Sequence, residues 1–86
     1  MNENHIKSLI KLTNFRYRAD EVFDNPMNTL KLIQLIAEDY EVCVKLQEEL
    51  YEKCCFKIPE LMKDFEMAEI QMGLYKIILA ELPKYL

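Results

Sequence analysis

Apolar residues in the last third of the chain follow two helical stripes, whereas a surface helix usually has one. The first stripe recurs at spacings of three and four residues and consists of Leu61, Phe65, Ala68, Met72, Tyr75, Leu79 and Leu82. The second consists of Met67, Ile70, Leu74, Ile77 and Ile78. Successive helical residues are rotated by about 100°, so the second set points nearly opposite the first. The pattern predicts a helix over residues 59–82 that is covered from two sides.

A long amphipathic helix is predicted just before it, over residues 29–55, with Asn28 or Thr29 as its N-cap. Its polar side is Lys31, Gln34, Glu38, Glu41, Lys45, Glu48 and Glu52. Its apolar side includes Leu32, Ile36, Tyr40, Cys43 and Leu50. Pro59 suits the first position of the next helix, so the connection is very short. The two helices should therefore form an antiparallel hairpin in which Tyr40 faces Tyr75.

The first helix is predicted over residues 3–23, with Asn2 or Asn4 as its cap and the turn at residues 24–26 as its end. Its apolar positions drift around the helix, from Ile6, Leu9, Ile10 and Thr13 to Leu12, Phe15, Ala19, Val22 and Phe23. Glycine and proline favour turns, and the chain has only one glycine and three prolines, so we expect mostly helix with short connections. We therefore expect one all-α domain over residues 1–86, a three-helix bundle built on the long hairpin.

Composition and charge fit an ordinary folded domain. Hydrophobic residues make up 51% and charged residues 30% of the chain, which argues against disorder. The net charge of −4 divides into +3 over residues 1–19 and −7 over the rest. An acidic body repels phosphate and disfavours nucleic acid as a partner. No signal peptide is visible and no run approaches the ~20 apolar residues of a membrane span, so we expect a cytoplasmic protein without a membrane partner.

The cysteines do not indicate a metal or disulfide site. They are Cys43, Cys54 and Cys55, an odd number without a C-x-x-C spacing, and His5 is the only histidine. A structural zinc site needs four such ligands at set spacings. We therefore interpret all three thiols as reduced and expect neither metal nor cofactor. Packing is favoured over a redox role for Cys54 and Cys55.

Catalytic groups are equally sparse. Ser8 lies three residues after His5, but two polar residues on a surface helix explain the pair without chemistry. Gly73 is the only glycine, which excludes a Gly-rich phosphate loop. Its place inside a helix has two explanations, a close approach by another group or a tolerated weak point. The sequence predicts a protein that is not an enzyme.

Basic residues of the first helix are the candidates for phosphate contact: Lys7, Lys11, Arg16 and Arg18. Phe15 and Tyr17 alternate with the two arginines, a composition that RNA-contacting segments share. Pairing of the arginines with the acidic helices, or exposure to solvent, is the simpler interpretation, and no helix-turn-helix spacing is present.

The prediction for function is a small non-catalytic protein–protein interaction module, such as an inhibitor, an adaptor or a regulatory subunit. We expect a homodimer whose interface consists of Met67, Ile70, Leu74, Ile77 and Ile78. Either the first helix or a second chain must cover these residues, and the pattern leaves both open. The alternative is a nucleic-acid-associated regulator, which either contacts phosphate through the basic helix or mimics nucleic acid with its acidic helices.

Overall fold

The computed structural model describes residues 1–86 and contains helices but no strand. The three α-helices are α1 (Glu3–Lys11), α2 (Pro26–Glu52) and α3 (Pro59–Glu81). Short 3-10 turns follow at Arg16–Arg18, Cys55–Lys57 and Leu82–Tyr85. Helices α2 and α3 pack extensively against each other, which confirms the all-α bundle built on a helical hairpin.

Helix α1 is much shorter than predicted, because Thr13 ends the helical run. The Thr13 hydroxyl donates to the Ile10 carbonyl at 2.7 Å and accepts the Phe15 N–H at 3.1 Å. Such local side-chain bonds compete with the helix for backbone groups. The chain then returns along the bundle through turns as far as residue 25. The prediction of one helix over residues 3–23 is therefore wrong beyond Lys11, and the drift in its apolar pattern coincides with the change of direction.

Helix α2 begins and ends three residues before its predicted limits. Asn25 is the N-cap, since its Oδ1 accepts the Asn28 N–H at 3.0 Å, and Pro26 occupies the first turn. Thr29 is buried instead, and its hydroxyl donates to the Val22 carbonyl at 2.6 Å. At the other end, Cys54 takes the left-handed conformation with φ of 54°, which stops the helix and starts the connection to α3.

Two side-chain contacts fix how α2 lies against α3. The Tyr75 hydroxyl donates to Asp39 Oδ2 at 2.5 Å, and Gln47 Nε2 donates to the Phe65 carbonyl at 3.2 Å. Both contacts lie within one helical turn of the predicted register. The hairpin is antiparallel, and its seam contains most of the first apolar stripe of α3.

Helix α1 lies antiparallel to α3 and covers only its C-terminal half. At one end, the Tyr85 hydroxyl donates to the Met1 carbonyl at 2.6 Å. At the other, Gln71 Nε2 donates to the Leu12 carbonyl at 3.3 Å. A helix of nine residues is about 14 Å long, which is too short to span its neighbours. The molecule is therefore elongated, with extents of 45 × 20 × 18 Å.

The core is concentrated at the end where all three helices meet. Its fully buried side chains include Ile6, Ile10, Leu32, Ile36, Tyr75, Ile78 and Leu82. The C-terminal turn packs there too, with the Tyr85 ring centroid 4.8 Å from that of Phe23. We call residues 44–67 the hairpin arm, because only two helices are present along that part. Leu50 and Cys55 are its only buried residues.

Candidate protein interface

Four apolar side chains of α3 form a surface stripe that points away from α2. Met67 is 65% exposed, Ile70 62% and Ile77 42%, and Leu74 is half-buried between them. We call these four residues the outer stripe. Single exposed apolar side chains are ordinary on protein surfaces, but a contiguous line of them is typical of an interaction site.

Ile78 does not belong to this stripe, and its prediction as an interface residue is wrong. It is fully buried and shares the core with Ile6 and Ile10 of α1. Ile78 lies between the two faces of α3 on the helical wheel, so the short helix α1 is able to cover it. Helix α1 therefore covers Ile78, at one edge of the second apolar set, and leaves Met67, Ile70 and Ile77 exposed.

Gly73 lies on the helix surface between Ile70 and Ile77, and it is exposed. A Cβ atom built on it would meet no other atom within 4 Å. Packing inside this chain therefore does not require a glycine here. Of the two explanations that the sequence leaves open, a close approach by the same chain is excluded.

A shallow groove extends the outer stripe onto α2. It is lined by Asn14, Cys43, Leu46, Asp64, Met67, Ala68 and Gln71, and it is open to solvent. Leu46 remains 39% exposed on the α2 side of the groove. The apolar surface therefore continues across both helices at the base of the hairpin arm.

A second open groove lies along the arm and is lined by Val44, Gln47, Glu48, Tyr51, Glu52 and Phe65. Phe56 stacks edge-on between Tyr51 and Phe65, with ring centroids 5.8 Å and 5.3 Å away. Tyr51 is 66% and Phe56 55% exposed. Exposed, mutually packed aromatic rings beside carboxylates resemble the composition of protein interfaces. Sequence reasoning missed this cluster, because Phe56 lies in the turn and belongs to neither helical stripe.

The polar pair at the centre of the bundle is structural. Tyr75 is fully buried, and burial together with the hydrogen bond to Asp39 raises the pKa of Tyr75 far above its ordinary range. Burial also raises the pKa of the Cys43 thiol, and the Asp39 charge adds to that effect. A thiol with a raised pKa stays protonated at neutral pH and is a poor nucleophile. These groups therefore join α2 to α3 at the centre of the bundle.

The basic residues proposed for phosphate contact are partly engaged within the chain. Lys11 Nζ lies 3.3 Å from Asp20 Oδ1. The Arg18 guanidinium lies 5.3 Å from the centre of the Tyr17 ring, and its Nε is buried without a hydrogen-bond partner. Lys7 is half-buried and Arg16 is exposed. Two of the four cations thus have contacts inside the molecule that would compete with phosphate.

The three thiols are free, with Cys43 and Cys55 buried and Cys54 exposed. No group of three or more His, Cys, Asp or Glu side chains is placed to hold a metal ion. None of the helices combines the length and the apolar character needed to cross a bilayer.

Fold and surface together define a small all-α protein in which a helical hairpin extends beyond a three-helix bundle as a two-helix arm. Comparisons with protein-family models, with curated proteins and with solved structures give no match to this chain. Its function is accordingly inferred from its own geometry.

Proposed function

We propose that the protein is a non-catalytic protein–protein interaction module that forms a homodimer through the outer stripe. In this proposal the dimer docks on another protein as an inhibitor, an adaptor or a regulatory subunit. The observation that carries the proposal is the contiguous exposure of Met67, Ile70 and Ile77 on a face that α1 does not cover.

Burial of that face would release substantial free energy. Apolar surface removed from water contributes about 25 cal/mol per Å², and the outer stripe contains three large side chains that are between 42% and 65% exposed. Charged residues, Lys63 and Glu66, flank it on the same helix, which gives the apolar centre and polar rim of many interfaces. A second copy is the simplest partner, since most soluble oligomers are symmetric homo-oligomers.

The aromatic cluster of exposed Tyr51 and Phe56 with half-buried Phe65 supports a second docking surface on the arm, for a different protein. The outer stripe and this cluster lie on different sides of the hairpin. One surface can therefore be occupied by a second copy while the other remains free. Aromatic side chains often contribute most to the energy of such contacts.

A non-catalytic role and a cytoplasmic location fit the same features. Both grooves are open, and the titratable groups with shifted pKa, Tyr75 and Cys43, are buried and protonated. Unpaired thiols at Cys43, Cys54 and Cys55 suit a reducing compartment. The nucleic-acid alternative gains no specific support, because Lys11 and Arg18 already have partners within the chain.

The test is the oligomeric state of an Ile70→Glu variant. A charge in the middle of the outer stripe should convert the dimer to monomer in sedimentation equilibrium while leaving the helical circular dichroism unchanged. Ile70 is preferred to Leu74, because a half-buried position risks an effect on folding.

Met27→Glu is the matched control, since Met27 is 70% exposed on α2 at the opposite end from the arm. This variant should remain a dimer. An unmutated protein that sediments as a monomer at tens of micromolar would rule out the homodimer.

A further inference from the structure

We infer that the two copies pair through α3 in antiparallel orientation, with the two-fold axis near residue 72 and the backbones closest at Gly73. This inference rests on the proposed homodimer and specifies its geometry. Three independent features of α3 support it: the spacing of the outer stripe, the charges at its two ends and the small residues along its free edge.

The spacing of the stripe matches an antiparallel partner. Including the charged residues at its ends, the line runs Lys63, Met67, Ile70, Leu74, Ile77 and Glu81, with spacings that alternate between four and three. Alternating spacings of four and three residues are typical of the contact positions in a coiled coil. The order of spacings is the same in both directions, so a reversed copy places Met67 against Ile77 and Ile70 against Leu74. Large apolar side chains then meet at every central layer.

The charges at the ends favour the same orientation. In a parallel, in-register pair, Lys63 would face Lys63 and Glu81 would face Glu81 of the second copy. In the antiparallel pair, each lysine faces a glutamate. The Glu81 side chain is only 18% exposed and its carboxylate already lies 3.4 Å from Lys84 Nζ and 4.0 Å from the N-terminal amine, so the added contact contributes little to affinity. The effect is on orientation, because the parallel pair would place Lys63 against Lys63 of the second copy.

Small residues border the stripe on its free edge. The edge facing α1 is occupied by this chain, through Gln71 and Ile78. The other edge carries Gly73 and Ala80, seven residues apart and both exposed. Helix–helix distance depends on the side chains at the contact, so these two residues allow close approach. With the axis near residue 72, Gly73 and Gly73 of the second copy lie within about 3 Å of each other along the helix axis. The open space beside each glycine would then admit the other helix.

Disulfide trapping distinguishes the orientations. The variants Met67→Cys, Ile77→Cys and Gly73→Cys are made in a Cys54→Ser background, since Cys54 is the only exposed native thiol. In the antiparallel pair, Gly73→Cys should crosslink to its own copy under mild oxidation. Met67→Cys and Ile77→Cys, each about 15 Å from its equivalent along the axis, should not crosslink alone but should crosslink when mixed.

The outcomes separate this inference from the homodimer itself. A dimer that Ile70→Glu dissociates, but in which Met67→Cys crosslinks to itself, keeps the homodimer and overturns the antiparallel geometry. A monomer in sedimentation equilibrium overturns both.

A second variant tests the close approach at Gly73. Gly73→Leu has room within the protomer, where nothing lies within 4 Å of the new Cβ. Between two closely packed helices it has none, so the dimer dissociation constant should rise by about tenfold or more, equivalent to about 1.4 kcal/mol. An unchanged dissociation constant would show that the axis lies elsewhere.

Discussion

At the level of single residues, Tyr75 is the side chain that joins the three parts of the bundle. Its ring is fully buried, 6.2 Å from that of Phe15 in the returning segment, and its hydroxyl donates to Asp39 on α2. The hydrogen bond satisfies a buried donor and a half-buried carboxylate together. Removing one partner leaves the other without its bond, and that loss is typically larger than the net contribution of the bond.

The raised pKa of Tyr75 predicts a loss of stability at alkaline pH. Above about pH 10 the unfolded chain loses this proton, whereas the folded chain keeps it. Below about pH 10, Tyr75 should therefore not contribute to the pH dependence of the free energy of unfolding. Above about pH 10, the free energy of unfolding should fall as pH rises, by at most about 1.4 kcal/mol per pH unit. Tyr75→Phe should flatten the fall, measured by urea unfolding between pH 8 and about 11.

Tyr17→Phe is the control, because it removes a tyrosine hydroxyl from a side chain that is 67% exposed. The raised pKa of the Cys43 thiol also lowers the free energy of unfolding as pH rises, starting at a lower pH than Tyr75 does. Part of the fall should therefore persist in Tyr75→Phe. Identical pH profiles for Tyr75→Phe and the unmutated protein would contradict the assignment.

Gly73→Ala should raise the stability of the protomer by up to about 1 kcal/mol, because alanine has the higher helix propensity and its Cβ meets nothing. The measurement is urea unfolding in the Ile70→Glu background, where dimerisation does not contribute. Ala80→Gly, at an equally exposed position on the same edge, should lower stability by a similar amount. A loss of stability in Gly73→Ala would indicate a neighbour within the chain.

At the level of elements, the sequence predicts helix ends well where proline marks them and poorly where a side chain ends the helix. Helix α3 starts at Pro59 as predicted and ends at Glu81, one residue before its predicted limit. Helix α1 ends early because the Thr13 hydroxyl bonds to the backbone on both sides, which hydrophobic periodicity does not reveal. The same proline rule applied to Asn25-Pro26 would have placed the start of α2 correctly.

Which apolar residues of α3 remain exposed depends on the length of α1, and the periodicity of the sequence does not give that length. The two faces of α3 were recognisable from spacing alone, and so were Met67, Ile70, Leu74 and Ile77 as one surface. Whether Ile78 lay in the core or outside depended on how far α1 reaches across α3. Helical periodicity could not predict the aromatic cluster around Phe56, because the turn between the helices brings its rings together.

The hairpin arm should be the least protected helical part of the molecule. Residues 44–67 have few buried side chains and no third helix above them, so local opening there breaks fewer contacts than in the bundle. In the Ile70→Glu variant, where the second copy does not cover α3, hydrogen–deuterium exchange followed by mass spectrometry should show faster amide exchange in peptides from the arm than in peptides from residues 29–43. Equal protection in both regions would contradict the prediction, since it would show that two helices protect the arm as well as three protect the bundle.

At the level of the whole molecule, the bundle contains the core and the arm contains exposed aromatic surface. The bundle end contains almost all of the buried core, with Ile6, Leu32, Ile78 and Leu82 among its fully buried residues. The arm end contains the aromatic cluster and one of the open grooves. Changes on the arm surface should therefore have little effect on folding, because few buried contacts depend on them, and such variants suit a test of the proposed docking surface.

The arm also determines what an antiparallel dimer can bind. Two arms joined near residue 72 would point in opposite directions and present the same aromatic cluster at each end of one elongated dimer. Such a dimer is bivalent, so a partner with two copies of the matching site would be held by avidity even when each contact is weak. Loss of dimerisation would then lower the apparent affinity for a repetitive partner by much more than for a single site, although neither docking surface had changed.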